Sequence, residues 1–432
     1  MFKWFICIHE KRLELCAGEE GMADGDKRIK IDDEVDRIGE LPVHLREHIL
    51  ECLSIKDAVA TSVLSSKWRY CWTGLRKLKF NRDFWNFDEH LVMLDPLEHT
   101  RAVDRVLMLH CGPIREFTLY VPEIEHISVD INMWLRVLSN NGVQKIEIDA
   151  VEYELDDDYF LVPSCLFHCR ALEKLSLRFC KLTLPTDFKG FVNLASLSLY
   201  HVDITPSLLE SLISGCLLLE TLSLEYLMPQ NPFTLEALNL KTFYFNDLQL
   251  EFIIFKNIPK LTCVSLLAMD QTERIDTPQP YSTLQRLCSL SMVKELTYDF
   301  FLLEPLPEKF PSSTPSPLES LKCLTLISLN LCLSEDIVFT LCLLRSAPNL
   351  QNLTIDLHWE HGDRFKINKA AAKLLKSEAQ KHTSYDSIQT LKITGLGGSP
   401  SEILLIKLLK TRCRKVTSII TEGWPWKIEL LK

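Results

Sequence analysis

Three places in the chain hold side chains of the kinds that chemistry uses. Gly395-Leu396-Gly397-Gly398-Ser399 falls between a strand-like and a helix-like stretch, where a phosphate-cradling loop would stand. Its spacing fits neither the dinucleotide nor the P-loop pattern, and no Lys-Ser/Thr pair follows. Turn and capping chemistry accounts for it instead. The glycines turn the chain, Ser399 caps a helix, Pro400 takes its first position and Glu402 completes a capping box. Cys165, His168 and Cys169 in PSCLFHC are soft ligands, but a zinc site draws on three or four ligands, usually from two clusters, and no second cluster stands out. This segment reads as an apolar helix face carrying a capped histidine. Asp156-Asp157-Asp158 lacks the Gly and the terminal Glu of a calcium loop and reads as a solvated turn. There is no serine nucleophile elbow, no HExxH and no cysteine in a recognisable nucleophile signature. We therefore assign no catalytic residue, no metal and no cofactor.

The residues that could act by binding lie between Asp36 and Phe80: DRIGELPVHLREHILECLSIKDAVATSVLSSKWRYCWTGLRKLKF. Pro42 suits a first helical turn, where a missing N–H costs nothing. Leu45, Ile49 and Leu53 follow at i, i+4 and i+8, flanked by Leu50, so one helix face is apolar. A second run, Ala58 to Leu64, sets Val59 and Val63 four apart. Ser65 is placed to cap a third helix carrying Trp68 and Trp72 on one side. Three short helices bury too little apolar area to stand alone. Some of this surface awaits a partner.

Leu41-Pro42, Ile49-Leu50, Leu53, Asp57, Ser62-Val63-Leu64-Ser65 and Trp68-Arg69 resemble the F-box in order and spacing. SVLSSKWRYCW is similar to the form found in plant F-box proteins. Two positions depart from the family pattern: Ser66, where a basic residue is common, and Cys71, where Leu is common. The resemblance implies docking on the Skp-type adaptor of SCF ubiquitin ligases and, through it, on cullin. On that basis the adaptor-binding residues are Leu41, Pro42, Leu45, Ile49, Leu50, Leu53, Val63, Leu64 and Trp68, with Trp68 either an anchor or a brace between helices.

After a polar linker (NRDFWNFDEH) and a helix through Ala102–His110, one pattern recurs: apolar-x-x-apolar-x-apolar. It occurs at Ile114/Phe117/Leu119, Val143/Ile146/Ile148, Leu172/Leu175/Leu177, Leu194/Leu197/Leu199, Leu219/Leu222/Leu224 and Leu240/Phe243/Phe245. It returns at Leu261/Val264/Leu266, Val293/Leu296/Tyr298, Leu321/Leu324/Leu326, Leu350/Leu353/Ile355 and Ile388/Leu391/Ile393. The steps, mostly about 21 to 32 residues, bracket the leucine-rich-repeat period. Each unit is a short strand turned into a core that only stacking can close. Helices intervene at Pro206–Leu219, with Leu208, Leu212 and Gly215-Cys216 on one side, and at Asp336–Arg345. The expected class is α/β: a three-helix F-box, then a curved leucine-rich-repeat solenoid with a C-terminal FBD-type region.

That last region rests on a second resemblance. LCLLRSAPNLQNLTIDLHWE with IQTLKITGLGGSPSEILLIKLLKTRCRKVTSI resembles the FBD region of plant F-box/LRR proteins. AVDRVLMLHCGPIREFTL, PSCLFHCRALEKLSL and FKGFVNLASLSLYHVDIT resemble the repeats of the same family. The likeness fades in the Pro-rich loop and after Thr417. Boundaries follow: a flexible leader over 1–34, the F-box over 35–80, a linker and helix over 81–111, repeats over 112–303, a Pro-rich loop over 304–317, and terminal repeats with the FBD-like region over 318–432. Gln271–Ser282 is a second Pro-containing break.

Composition sets limits on all this. With 47% hydrophobic and 25% charged residues, 432 residues can build a large core. A formal net charge of −10 argues against nucleic acid and anionic membranes as partners. Fifteen cysteines, an odd count often inside apolar runs (Cys263, Cys323, Cys332, Cys342), read as small buried hydrophobes in a reducing compartment. The apolar start, MFKWFICIHEKRLELC, is too short and too charged for a signal peptide. No run is long enough to span a membrane. Translation from Met22 would remove it, and Lys27-Arg28-Ile29-Lys30 is a thin import signal, so nucleus or cytoplasm is expected.

The expected mechanism is proximity. A substrate receptor holds an unidentified protein target on its repeats while the F-box holds the ligase, and it breaks no bond itself. Solvent-facing strand positions such as Glu173, Lys174, Ser176, Ser196, Ser198, Thr221 and Ser223 would meet that target. The alternatives are a repeat scaffold without ligase function and a small-molecule-sensing F-box receptor; Trp424 and Trp426 are candidate lining for the last, though interior or capping roles suit them better.

Overall fold

A computed structural model describes residues 38, 40–85, 96–122, 127–151, 159–227, 231–247, 250–268, 290–303, 306, 310–314, 316–358, 369–381, 384–416 and 418–423. The leader, Asp156–Asp158, Gln271–Ser282, part of the Pro-rich loop, Trp424 and Trp426 lie outside the described residues. The chain forms two compact units, one ending at Leu194 and the other beginning at Ala195.

The N-terminal unit opens with α1 (Val43–Glu51) and α2 (Ile55–Ala60). Pro42 is the N-cap of α1, with φ −53° and ψ 148°, one position earlier than the first-turn place its ring suits. Ser54 caps α2: its hydroxyl oxygen accepts from the Asp57 N–H at 3.1 Å, and the hydroxyl donates to the Asp57 carboxylate at 2.7 Å. The expected third helix is absent as an α-helix. After a 3-10 turn at Thr61–Val63, the chain makes i→i+3 turns from Ser65 to Trp68 and from Trp68 to Cys71, then a 3-10 turn at Cys71–Gly74. Tight turns allow Trp68 and Trp72 both to be buried, at 3% and 4% exposed. α2 ending at Ala60 also separates Val59, which is buried, from Val63, which is exposed.

The unit continues with β1 (Lys77–Phe80), a single helical turn at Arg82–Trp85, α3 (Pro96–Leu109), β2 (Glu116–Val121), α4 (Ile127–Asn140), β3 (Lys145–Ala150), β4 (Phe160–Leu161) and β5 (Lys174–Lys181). α3 begins six residues before the expected Ala102, with Pro96 in its first turn. The strands pair in parallel in the order β1-β2-β3-β5, with β4 beside β5. β1 is not among the strands expected from the sequence, yet Leu75, Leu78 and Phe80 repeat the apolar-x-x-apolar-x-apolar pattern and are buried. The Phe80 ring packs 4.9 Å from Phe84 and 5.7 Å from Phe117. α2 also packs on β1, so the N-terminal helices share the sheet's core.

The C-terminal unit holds β6 (Ser196–Asp203), α5 (Pro206–Gly215), β7 (Thr221–Glu225), β8 (Phe233–Leu235), β9 (Thr242–Asn246), β10 (Ile253–Phe255), β11 (Cys263–Leu267), β12 (Glu295–Asp299), β13 (Cys323–Leu329), α6 (Ser334–Ser346), β14 (Asn352–Leu357), α7 (Lys369–Gln380), β15 (Thr390–Leu396), α8 (Pro400–Arg412) and β16 (Ser418–Gly423). Its parallel sheet runs β6-β7-β9-β11-β12-β13-β14-β15-β16, and β8 and β10 form a separate parallel pair. Every residue of the apolar triplets read from the sequence is buried. α5 turns Leu209, Leu212, Ile213 and Cys216 inward, while Leu208 is only half-buried. The inward set follows i, i+3, i+4, i+7, one residue out of step with the expected face.

Gly395 closes β15 with φ +71°, and a Cβ there would stand 2.3 Å from the Leu357 carbonyl oxygen. Gly395→Ala is expected to cost about 2 kcal/mol or more, read as a lower denaturant midpoint with an unchanged slope.

Candidate functional site

The expected docking residues divide by burial. Leu45, Ile49 and Leu53 are 42%, 39% and 41% exposed, and Val63 and Leu64 are 57% and 66% exposed. Val43 and Ile38 add to this apolar surface. Pro42 is exposed and Leu41 half-buried. Leu50 and Trp68, in contrast, lie in the core. They cannot touch a partner while the helices stay packed, so their part is to hold the exposed row in place.

Arg46 does the same by hydrogen bonds. Its guanidinium donates to the Leu41 carbonyl at 3.1 Å, to the Lys67 carbonyl, and to the Cys71 sulfur at 3.3 Å. The Cys71 thiol donates in turn to the Lys67 carbonyl at 3.0 Å. Lys67 pairs with Glu40 at 2.6 Å. The departure at Cys71 thus places a polarizable hydrogen-bonding atom where a Leu would only pack.

The second candidate surface is the sheet face opposite the core. In the N-terminal unit it is charged and internally paired. Lys77 meets Glu116 at 3.1 Å, Lys145 meets Glu147 at 2.7 Å, and Arg178 meets Asp149 at 3.4 Å. Burial pushes the Glu147 carboxyl up, but Lys145 and the Thr118 hydroxyl outweigh it and hold it below its ordinary value. In the C-terminal unit the same face is mainly hydroxyl-bearing. Ser196, Ser198, Thr221 and Ser223 are exposed or half-buried there, as Glu173, Lys174 and Ser176 are in the N-terminal unit.

The groups considered for catalysis and metal binding are placed as structural parts. The Ser399 hydroxyl accepts from the Glu402 N–H at 3.3 Å. Glu402 does not return a bond to Ser399; its carboxylate accepts from the Gly397 N–H at 3.0 Å and the Gly398 N–H at 2.8 Å. The backbone donors that would hold a phosphate are therefore occupied. Cys165 donates to the Asn132 side-chain oxygen at 2.7 Å. His168 ends a 3-10 turn and is exposed rather than capped on an apolar helix face. Cys263 and Cys323 correct the reading of cysteines as core: both stand on the outward sheet face and are half-buried, as is Cys332. Cys169, Cys180 and Cys413 are buried, and burial pushes their thiols up to about 12. At about pH 8 a maleimide should label exposed Cys52 and Cys111 while these three stay unmodified until the chain is denatured, as peptide mapping would show.

Among known proteins, a family model described as "F-box domain" matches residues 38–80. A second, described as "FBD-associated F-box protein At5g56370, LRR repeats", matches residues 131–355. The chain is 32% identical over 377 residues to the F-box/FBD/LRR-repeat protein At1g13570 of Arabidopsis thaliana, spanning 87% of this chain and 88% of that one. It is 35% identical over 170 residues to the F-box/FBD/LRR-repeat protein At2g04230 of the same plant, spanning 39% and 36%. It is 32% identical over 208 residues to the FBD-associated F-box protein At1g66310, again from Arabidopsis thaliana, spanning 46% and 44%.

Proposed function

Because the chain belongs to the F-box/FBD/LRR-repeat family, we propose that it is the substrate-recognition subunit of an SCF-type ubiquitin ligase. The observation that carries this reading is the exposed apolar row Leu45, Ile49, Leu53, Val63 and Leu64 inside the residues that match the F-box model. Such side chains leave water only when a partner covers them, and each would contribute roughly 1.5–3 kcal/mol if fully covered. The partner is a Skp-type adaptor, which brings cullin with it. The sheet faces hold a protein target. No bond is made or broken by this chain; it raises the local concentration of target lysines beside a charged ubiquitin carrier.

The experiment is co-purification of the full chain with a Skp-type adaptor and cullin. Recovery of both supports the reading. Recovery of neither, from a folded chain, sinks it and leaves a repeat scaffold. Recovery of the adaptor without cullin favours a complex outside the ligase.

A further inference from the structure

The outward face of the C-terminal sheet has one cluster unlike the rest. Tyr200 of β6 and Glu225 of β7 are register partners, as are Ser223 of β7 and Tyr244 of β9. Alternation along β7 would send residue 226 into the core. Tyr226 instead takes φ 55°, and its ring sits 5.0 Å from that of Tyr200 with the planes at 44°. Its N–H donates to the Asn246 carbonyl at 2.9 Å, which closes the turn. The equivalent places in β6, β13 and β15, His201, Ser328 and Gly395, take such a φ too, so the turn recurs along the sheet. At this recurrent turn β7 carries a tyrosine, which brings two aromatic rings together on the open face.

Charge completes the picture. The Glu225 carboxylate accepts from the Ser223 hydroxyl at 2.8 Å. Tyr244 faces Ser223 across the strands, beside that hydrogen bond; burial pushes its hydroxyl up, and Glu225 and Tyr226 add to the effect. The outward strand positions from β6 to β12 carry the carboxylates of Asp203, Glu225, Glu295 and the buried Asp299 and, among the described residues, no lysine or arginine. The N-terminal unit differs, since its outward carboxylates Glu116, Glu147 and Asp149 each meet a cation of their own chain.

We propose that Tyr200, Tyr226 and Tyr244, with Glu225, receive an arginine or lysine side chain of the bound protein, an inference that rests on the receptor function above. Ring faces attract a cation within about 6 Å, and a carboxylate beside them supplies the counter-charge. Arginine fits better than lysine, because its planar guanidinium stacks on a ring while its edge donates to the carboxylate. The target therefore presents a basic segment to this face.

The test uses the full chain and a fluorescein-labelled peptide of alternating arginine and glycine, with alternating glutamate and glycine as control, read by fluorescence anisotropy. The basic peptide should bind and the acidic one should not. Glu225→Gln and Tyr200→Ala should each weaken binding by about fivefold or more, while Thr390→Ala, on the same face in β15, should leave it unchanged. Glu225→Gln is nearly isosteric, so it stands as the test if Tyr200→Ala alters the unfolding temperature. Equal binding by wild type and both variants overturns the inference, as does no binding of the basic peptide up to about 1 mM. Adaptor capture is measured on the same samples. Capture without peptide binding overturns this inference alone, and peptide binding without capture overturns the receptor reading alone.

Discussion

Leu53→Asp combined with Leu64→Asp abolishes capture of the Skp-type adaptor and leaves thermal unfolding of the chain within about 4 °C of wild type. Both side chains are exposed already, at 41% and 66%. A carboxylate there meets water in the free chain, and surface substitutions of this kind stay within about 0.5 kcal/mol. In a complex the same carboxylates would be trapped against an apolar partner without a counter-ion. The lost burial and the added desolvation together should weaken binding by at least about 100-fold, near 2.7 kcal/mol. Leu50→Asp is the contrasting variant. Leu50 is fully buried, so its carboxylate costs several kcal/mol in the free chain and unfolds the N-terminal helices. Calorimetry of adaptor binding beside a thermal melt separates the two outcomes. Adaptor binding retained by the double variant would remove the exposed row from the docking account.

The same residues show what the sequence could and could not disclose. The stripe Leu45, Ile49 and Leu53 is legible from its spacing, and a stripe of that kind ordinarily faces a core. Here it faces solvent, and Leu50, one step round the helix, is the residue turned inward. Periodicity finds an apolar face but does not say which covering closes it. The strands were legible for a firmer reason. A triplet such as Leu222 and Leu224 behind Leu219 repeats at a period no isolated helix has, and stacked units have only one way to bury it. β1 is hard to read from the sequence because Leu75, Leu78 and Phe80 sit within the F-box-like stretch and 39 residues ahead of the Ile114/Phe117/Leu119 triplet. Recognising it removes the difficulty that three short helices bury too little, since α2 rests on β1. The third helix failed because Trp68 and Trp72 are placed by packing rather than by propensity. The turn at Tyr226 had no sequence signal, as no Gly or Asn marks it.

Glu378→Ala lowers the stability of the C-terminal unit by about 3 kcal/mol or more, roughly 6–12 °C in the unfolding midpoint. Glu378 is a charged residue inside the α6–α7–α8 stack, with its side chain 2% exposed. Arg345 of α6 donates to both of its oxygens, one at 3.2 Å, and also to the Ser312 carbonyl at 2.9 Å. Lys381 approaches at 2.9 Å. Arg412 of α8 reaches the Glu378 carbonyl at 3.1 Å, so the end of α7 is held from both sides. Removing the carboxylate leaves the largely buried Arg345 guanidinium without its anion, which is the costly half of a broken buried pair. The pH dependence has a definite sign. Burial pushes the Glu378 carboxyl up, but Lys381 and Arg345 outweigh it and hold the folded value below the ordinary 4.5. Its contribution is therefore complete above about pH 4.5 and is lost as pH falls through the depressed folded value. Wild type should lose stability on acidification over that window, and Glu378→Ala should lose less. Parallel pH profiles for the two proteins would mean that Glu378 gains nothing from its partners on folding.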